Sequence, residues 1–121
     1  MNDKIDQAIW AHSRWKVHLK QAIETGQSDF TVETVQNPHA CAFGQWLDSK
    51  EGKTLSHYSE IVELHQNFHQ EAAHILSLAL TGQKEDAATK VQLGSEFSHL
   101  TAKLVNKLAD IGKSDDIAFP N

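Results

Sequence analysis

The sequence predicts an all-α domain, a four-helix-bundle-like fold with three long helices and one short one. Three observations carry that expectation. Apolar residues recur at three- and four-residue spacing through long stretches, the period of one helix face, and no stretch alternates apolar with polar as a half-buried strand does. Ala, Leu, Gln, Glu and Lys are plentiful, and there are only two prolines to interrupt them. Gly26, Gly52, Gly82 and Gly112 each follow a periodic stretch, where a left-handed C-terminal cap is expected. With 121 residues the chain can bury a core without disulfides, so one domain is expected over 1–121, its core at about 3–112 and a flexible tail at 113–121.

The first segment, about Asp3 to Thr25, places Ile5, Ala8, Ile9, His12, Trp15, Leu19, Ala22 and Ile23 on one stripe with His12 near its centre. A connection that is partly extended follows, Gln27 to Gln36. The second segment is short: Asn37 caps, Pro38 suits the first helical position, and His39 to Ser49 carry Cys41, Phe43, Trp46 and Leu47. The third starts near the candidate caps Thr54 or Ser56 and runs to about Thr81. Its apolar side holds Tyr58, Ile61, Val62, His65, Phe68, His69, Ala72, Ile75, Leu76 and Ala79, so two histidines stand in core positions. The fourth, about Lys84 to Ile111, puts Leu93, Phe97, Leu100, Leu104, Leu108 and Ile111 on one face. A second stripe of Ala88, Val91, Ser95, Ala102, Val105 and Ala109, together with off-stripe Trp10 and Val17 on the first helix, suggests helix contacts between subunits and hence a homodimer.

Composition excludes several classes of function. The net charge is −5 and the eleven basic residues are scattered, so neither nucleic acid nor an anionic membrane surface is an expected partner. No apolar run approaches the roughly 20 residues that cross a bilayer, and the N-terminus lacks the apolar segment of a signal peptide, which makes the cytoplasm the expected location and membrane insertion unexpected. A single cysteine rules out an intrachain disulfide and leaves its thiol free for metal or redox chemistry.

His65 and His69, four residues apart, project two imidazoles from adjacent turns of one face, within reach of a common ion. In a chain with eight histidines such a pair also arises by chance, and a core histidine is commonly a hydrogen-bonded structural residue. His12, centred on the first stripe, and Cys41, placed in an early helical turn where the dipole favours thiolate, complete a tetrahedral set of three imidazoles and one thiolate suited to Zn²⁺. His39 is the one substitute donor, although two residues along a helix turn it away from Cys41. His18, His57, His74 and His99 fall off the core stripes. The pairs Glu71/His74 and Glu96/His99 have the Glu-X-X-His spacing of di-iron bundles but point away from the core at about 100° per residue. Trp15 and Trp46 read as core anchors shielding the site. Histidines bind metal when neutral, so affinity is expected to fall as pH drops through about 6.5. No core-facing carboxylate offers a general base, so an enzyme is not expected.

Three blocks, His12-Ser13-Arg14-Trp15, Cys41-Ala42-Phe43-Gly44-Gln45-Trp46-Leu47 and His65-Gln66-Asn67-Phe68-His69, closely resemble the chemoreceptor zinc-binding (CZB) domain, in order and with compatible separations. The resemblance implies a helical bundle, usually homodimeric, with zinc at His12, Cys41, His65 and His69. It also implies a bacterial cytoplasmic regulatory module attached to chemoreceptor signalling domains or diguanylate cyclases. No signalling or cyclase segment is recognisable after residue 112, so the output is expected through a signalling partner or an effector fused elsewhere. The function expected is zinc- or oxidant-responsive regulation, for instance by hypochlorous acid at the redox-sensing thiolate of Cys41. The alternative is an interaction domain with a purely structural zinc.

Overall fold

In a computed structural model the backbone of residues 3–118 and the side chains of residues 4–111 are described. The elements are α1 (Asp3–Ser13), α2 (Trp15–Thr25), α3 (Val32–Gln36), a 3₁₀ turn at Pro38–Ala40, α4 (Ala42–Leu47), α5 (Lys50–Lys53), α6 (Tyr58–Leu80), α7 (Lys84–Lys90) and α8 (Glu96–Ala118), with no strand among the described residues. The all-α bundle expected from periodicity is present. Its organising element is α6, which buries Ile61, Phe68, Ala72, Ile75 and Leu76 and packs against α2, α3, α7 and α8; α1 closes the bundle against α8. Phe68 and Phe97 meet at the centre, ring centroids 5.3 Å apart.

The first predicted helix divides at Arg14, where Val17 N–H bonds the Arg14 carbonyl at 3.0 Å in a tightened, 3₁₀-like turn between α1 and α2. The connection expected to be partly extended instead forms α3. Thr31 stands in an extended conformation and its hydroxyl accepts from Thr34 N–H at 3.2 Å, which starts the helix and lets it bury Val35. The short Cys-bearing helix is also subdivided. Asn37 does cap, its side chain accepting from His39 N–H, but the turn it caps ends at Ala40, and Cys41 (φ −83°, ψ 139°) is itself the extended residue before α4. Neither Thr54 nor Ser56 caps the long central helix. Thr54 closes α5, which Ser49 caps, and α6 begins after His57, a left-handed residue at φ 60°.

The glycines separate by backbone conformation. Gly26 and Gly82 have φ of 73° and 84° and end α2 and α6 as expected, but Gly52 lies inside α5, where a Cβ would collide with the Trp46 carbonyl. Gly94, at φ 84°, divides the fourth predicted helix into α7 and α8, and α8 continues past Gly112 to Ala118. The expected flexible tail, 113–121, falls on residues whose side chains, and from 119 whose backbone, lie outside the described part. Because of the break at Gly94, Leu93 leaves the core face and is 86% exposed, while Phe97, Leu104 and Leu108 remain buried. On the small-residue stripe Val91 is buried, Ala88, Ser95, Val105 and Ala109 are half-buried and Ala102 is exposed. No described helix is long and apolar enough to cross a membrane.

Leu104 and Leu93 share a face by spacing alone, and the turn at Gly94 separates them. Denaturant unfolding should therefore show Leu104→Ala costing about 2–5 kcal/mol and Leu93→Ala changing stability by less than about 0.5 kcal/mol; equal costs would contradict the break.

Candidate metal centre

His12, His65 and His69 are the buried polar side chains of the described residues, each 3% exposed or less in a core that is otherwise apolar. Burying an imidazole without partners is costly, so the arrangement of their nitrogens is decisive. His12 comes from the end of α1 and its Nδ1 lies 2.7 Å from the Ala8 carbonyl; His69, on α6, has Nδ1 2.8 Å from the Val35 carbonyl of α3. A carbonyl only accepts, so both Nδ1 atoms carry the proton and donate it, and each Nε2 is left as a bare lone pair. One turn earlier on α6, His65 brings its Nε2 to 3.0 Å from Nε2 of His69. The three rings stand edge to face, with centroids 4.5 to 5.6 Å apart.

Cys41 completes the group. Its Sγ lies 3.8 Å from Nε2 of His12, and one donor atom from each of the four residues falls within 4.8 Å of the others. Tetrahedral zinc, with Zn–N of about 2.0–2.1 Å and Zn–S of about 2.3 Å, requires N···N edges near 3.3 Å and N···S edges near 3.6 Å. The separations of 3.0 Å between His65 and His69 and 3.8 Å between Cys41 and His12 lie close to those edges, and without a carboxylate among them the donors do not suit Ca²⁺ or Mg²⁺. The structure thus brings His12, Cys41, His65 and His69 together.

The walls are partly different from those expected. Phe43 packs edge-on to His12 and His65 at 5.8 and 5.1 Å, and Phe68 to His12 and His69 at 5.1 and 5.7 Å, so phenylalanines exclude water from the cluster. Trp46 acts one layer out, stacked on Phe43 with its N–H donating to Glu51 at 3.0 Å. Trp15 instead meets His18 edge to face and Phe30 at a tilt, at centroid distances of 5.2 and 4.9 Å. The carbonyls of Ala8 and Val35 have no side-chain signature, which is why sequence patterns miss them; Phe68, beside His69 on the core stripe, was legible. Gly44 is required by close packing, since a Cβ there would collide with the Pro38 carbonyl and lie 3.2 Å from His65 Cε1.

Cys41 differs from the histidines in exposure and support. It is half-buried, stands outside regular helix, and opens on a groove of about 500 Å³ between α1 and α4 whose walls include Trp10, Phe43 and Trp46. His39 is exposed and pairs with Asp48 at 2.8 Å, away from the four donors, and His57, His74 and His99 are exposed, so the Glu-X-X-His pairs take no part in the cluster.

Burial lowers the pKa of all three core histidines. His12 is pushed down to about 4, mainly by loss of solvent and further by the neighbouring His69. His65 falls for the same reason, with repulsion from His69 and His12 added, and His69 falls through burial although its bond to Val35 opposes the shift. Neutral rings ready for metal therefore persist below the expected pH of about 6.5. As pH falls, the unfolded chain takes up protons first, so the metal-free protein's full stability is present above about 6.5 and is lost as pH descends towards about 4. His12 alone accounts for on the order of 3 kcal/mol of that loss. Melting the chelated protein across this window should show a steady decline in Tm that a His12→Phe variant flattens; a pH-independent Tm would contradict the burial of neutral imidazoles.

Among curated proteins and among solved structures no match was found. The profile of one family, the chemoreceptor zinc-binding domain, matches residues 12–76, a span that begins at His12 and contains Cys41, His65 and His69. With more than half of the chain matched and the His₃Cys cluster assembled in its core, the chain belongs to the chemoreceptor zinc-binding domain family.

Proposed function

We propose that this single-domain zinc-binding module is a sensor in which His12, Cys41, His65 and His69 hold the ion, the histidines as a fixed set and Cys41 as the ligand on which a signal acts. The asymmetry of the site carries this reading. Three donors are buried on α1 and α6, two of them with tautomers fixed by backbone carbonyls, whereas the fourth is half-buried between a 3₁₀ turn and a short helix. When bound, the ion supplies the positive charge that keeps a thiol ionised at neutral pH.

The chemistry at Cys41 follows from an accessible thiolate. With hypochlorous acid, RS⁻ + HOCl gives RSOH + Cl⁻: a sulfur lone pair attacks chlorine, hydroxide leaves, and water then replaces chloride at sulfur with release of a proton that neutralises the hydroxide. Sulfur is oxidised by two electrons and chlorine reduced by two. The sulfenic product is a poorer donor than the thiolate, and the segment Asn37–Ser49 is then free to repack while the histidines stay in place. The repacked segment biases a signalling protein such as a chemoreceptor or diguanylate cyclase, in the cytoplasm and from a homodimer. Trp10 and Val17, 65% and 45% exposed on α1 and α2, support a surface for a second copy. The absence of a carboxylate from the four-donor group supports binding rather than catalysis.

A closed set of four donors also suits a permanent structural staple, and one experiment separates the two readings. On titrating the zinc-loaded protein with hypochlorous acid, mass spectrometry should find Cys41 oxidised and zinc released in proportion, and Cys41→Ser should bind zinc more weakly by at least the roughly 10–100-fold that losing an outer-sphere partner costs. Far-UV circular dichroism of the zinc-free protein should retain the helical signal and a cooperative melt. Collapse of the helices on zinc removal would establish the staple, and full zinc retention after Cys41 oxidation would rule out the sensor.

A further inference from the structure

We propose that His39 and Asp48 are where a divalent cation first meets the protein on its way to the buried histidines. This rests on the coordination reading above and concerns how the ion reaches that site. His39 Nδ1 donates to Asp48 Oδ2 at 2.8 Å, and the two side chains are 64% and 52% exposed. In the neutral ring that bond leaves Nε2 as a bare lone pair backed by a carboxylate, the combination that orients imidazoles towards zinc in metal sites. The pair stands at a cavity of about 40 Å³ whose wall also includes Gly44, Tyr58, Gln66 and His65. A surface donor pair and a buried member of the four-donor group thus share one small cavity.

His65 is suited to receive the ion. Backbone carbonyls close off the Nδ1 atoms of His12 and His69, whereas the His65 ring bonds His69 through Nε2, and of the three buried histidines His65 lines this cavity. A cavity of this size holds a few waters but not an ion with its whole hydration shell, so donors at the mouth must replace departing water. His39 Nε2 and the Asp48 carboxylate supply them, and the chain's charge of −5 draws cations to the surface. The groove beside Cys41 is wider and mostly apolar, walled by Ala8, Trp10, Phe43 and Trp46; its donors are the side chains of Asp6 and Gln7 and the Cys41 thiol, with Lys4 set against an incoming cation.

The test is stopped-flow zinc uptake by the chelated full chain, followed by tryptophan fluorescence, with Kd measured by chelator competition. A transient handhold lowers the barrier in both directions, so His39→Ala and Asp48→Asn should each slow uptake and release alike by about tenfold with Kd changed less than about twofold, and Trp10→Ser should leave uptake unchanged. Unchanged uptake in both variants, or weaker Kd with unchanged uptake, would overturn the proposal, the latter assigning the pair a role in holding the bound ion. Slower uptake in Trp10→Ser but not in His39→Ala would move the route to the Cys41 groove. If the unaltered chain binds no zinc, the coordination reading itself fails; normal affinity with unaffected rates removes only the access route.

Discussion

The convergence of three buried, neutral imidazoles is the constraint on which the rest of this structure depends. Three neutral rings stand in an otherwise apolar core, with Nε2 of His65 and His69 3.0 Å apart, an arrangement that suits a cation held among them. Everything near the cluster serves that convergence. The Ala8 and Val35 carbonyls take the Nδ1 protons, the phenylalanine rings shut out water, and Gly44 lets the Cys-bearing segment close over His65. Desolvation, which holds the rings neutral, is also what makes them competent ligands.

The small elements follow from the same need. α3 is five residues long and would not persist alone, yet it buries Val35 and presents that residue's carbonyl to His69. The 3₁₀ turn and α4 together bring Cys41 to the cluster without placing it inside a helix. Three donors within helices and one between two short elements are thereby built into the secondary structure.

Much of this was legible from residue spacing. Helical periodicity separated His12, His65 and His69 from His74 and His99, because burial of one face leaves a 3.6-residue signature that polar replacements interrupt visibly. Fine segmentation was less legible. The break at Gly94 competes with an apolar pattern that runs straight through it, and Leu93 follows the pattern while the backbone does not. The end of α1 at Ser13 carries no glycine or proline, and α3 hides in a polar connection whose only local cue is the Thr31 cap on Thr34. The backbone carbonyls that orient the histidines leave no mark in sequence, since every residue has one.

The claim that these four side chains form one zinc site is tested most directly by X-ray absorption at the zinc edge of the reduced, zinc-loaded protein. Three nitrogen neighbours at about 2.0–2.1 Å and one sulfur at about 2.3 Å are predicted. A first shell without sulfur, or with fewer than three imidazole nitrogens, would contradict the account.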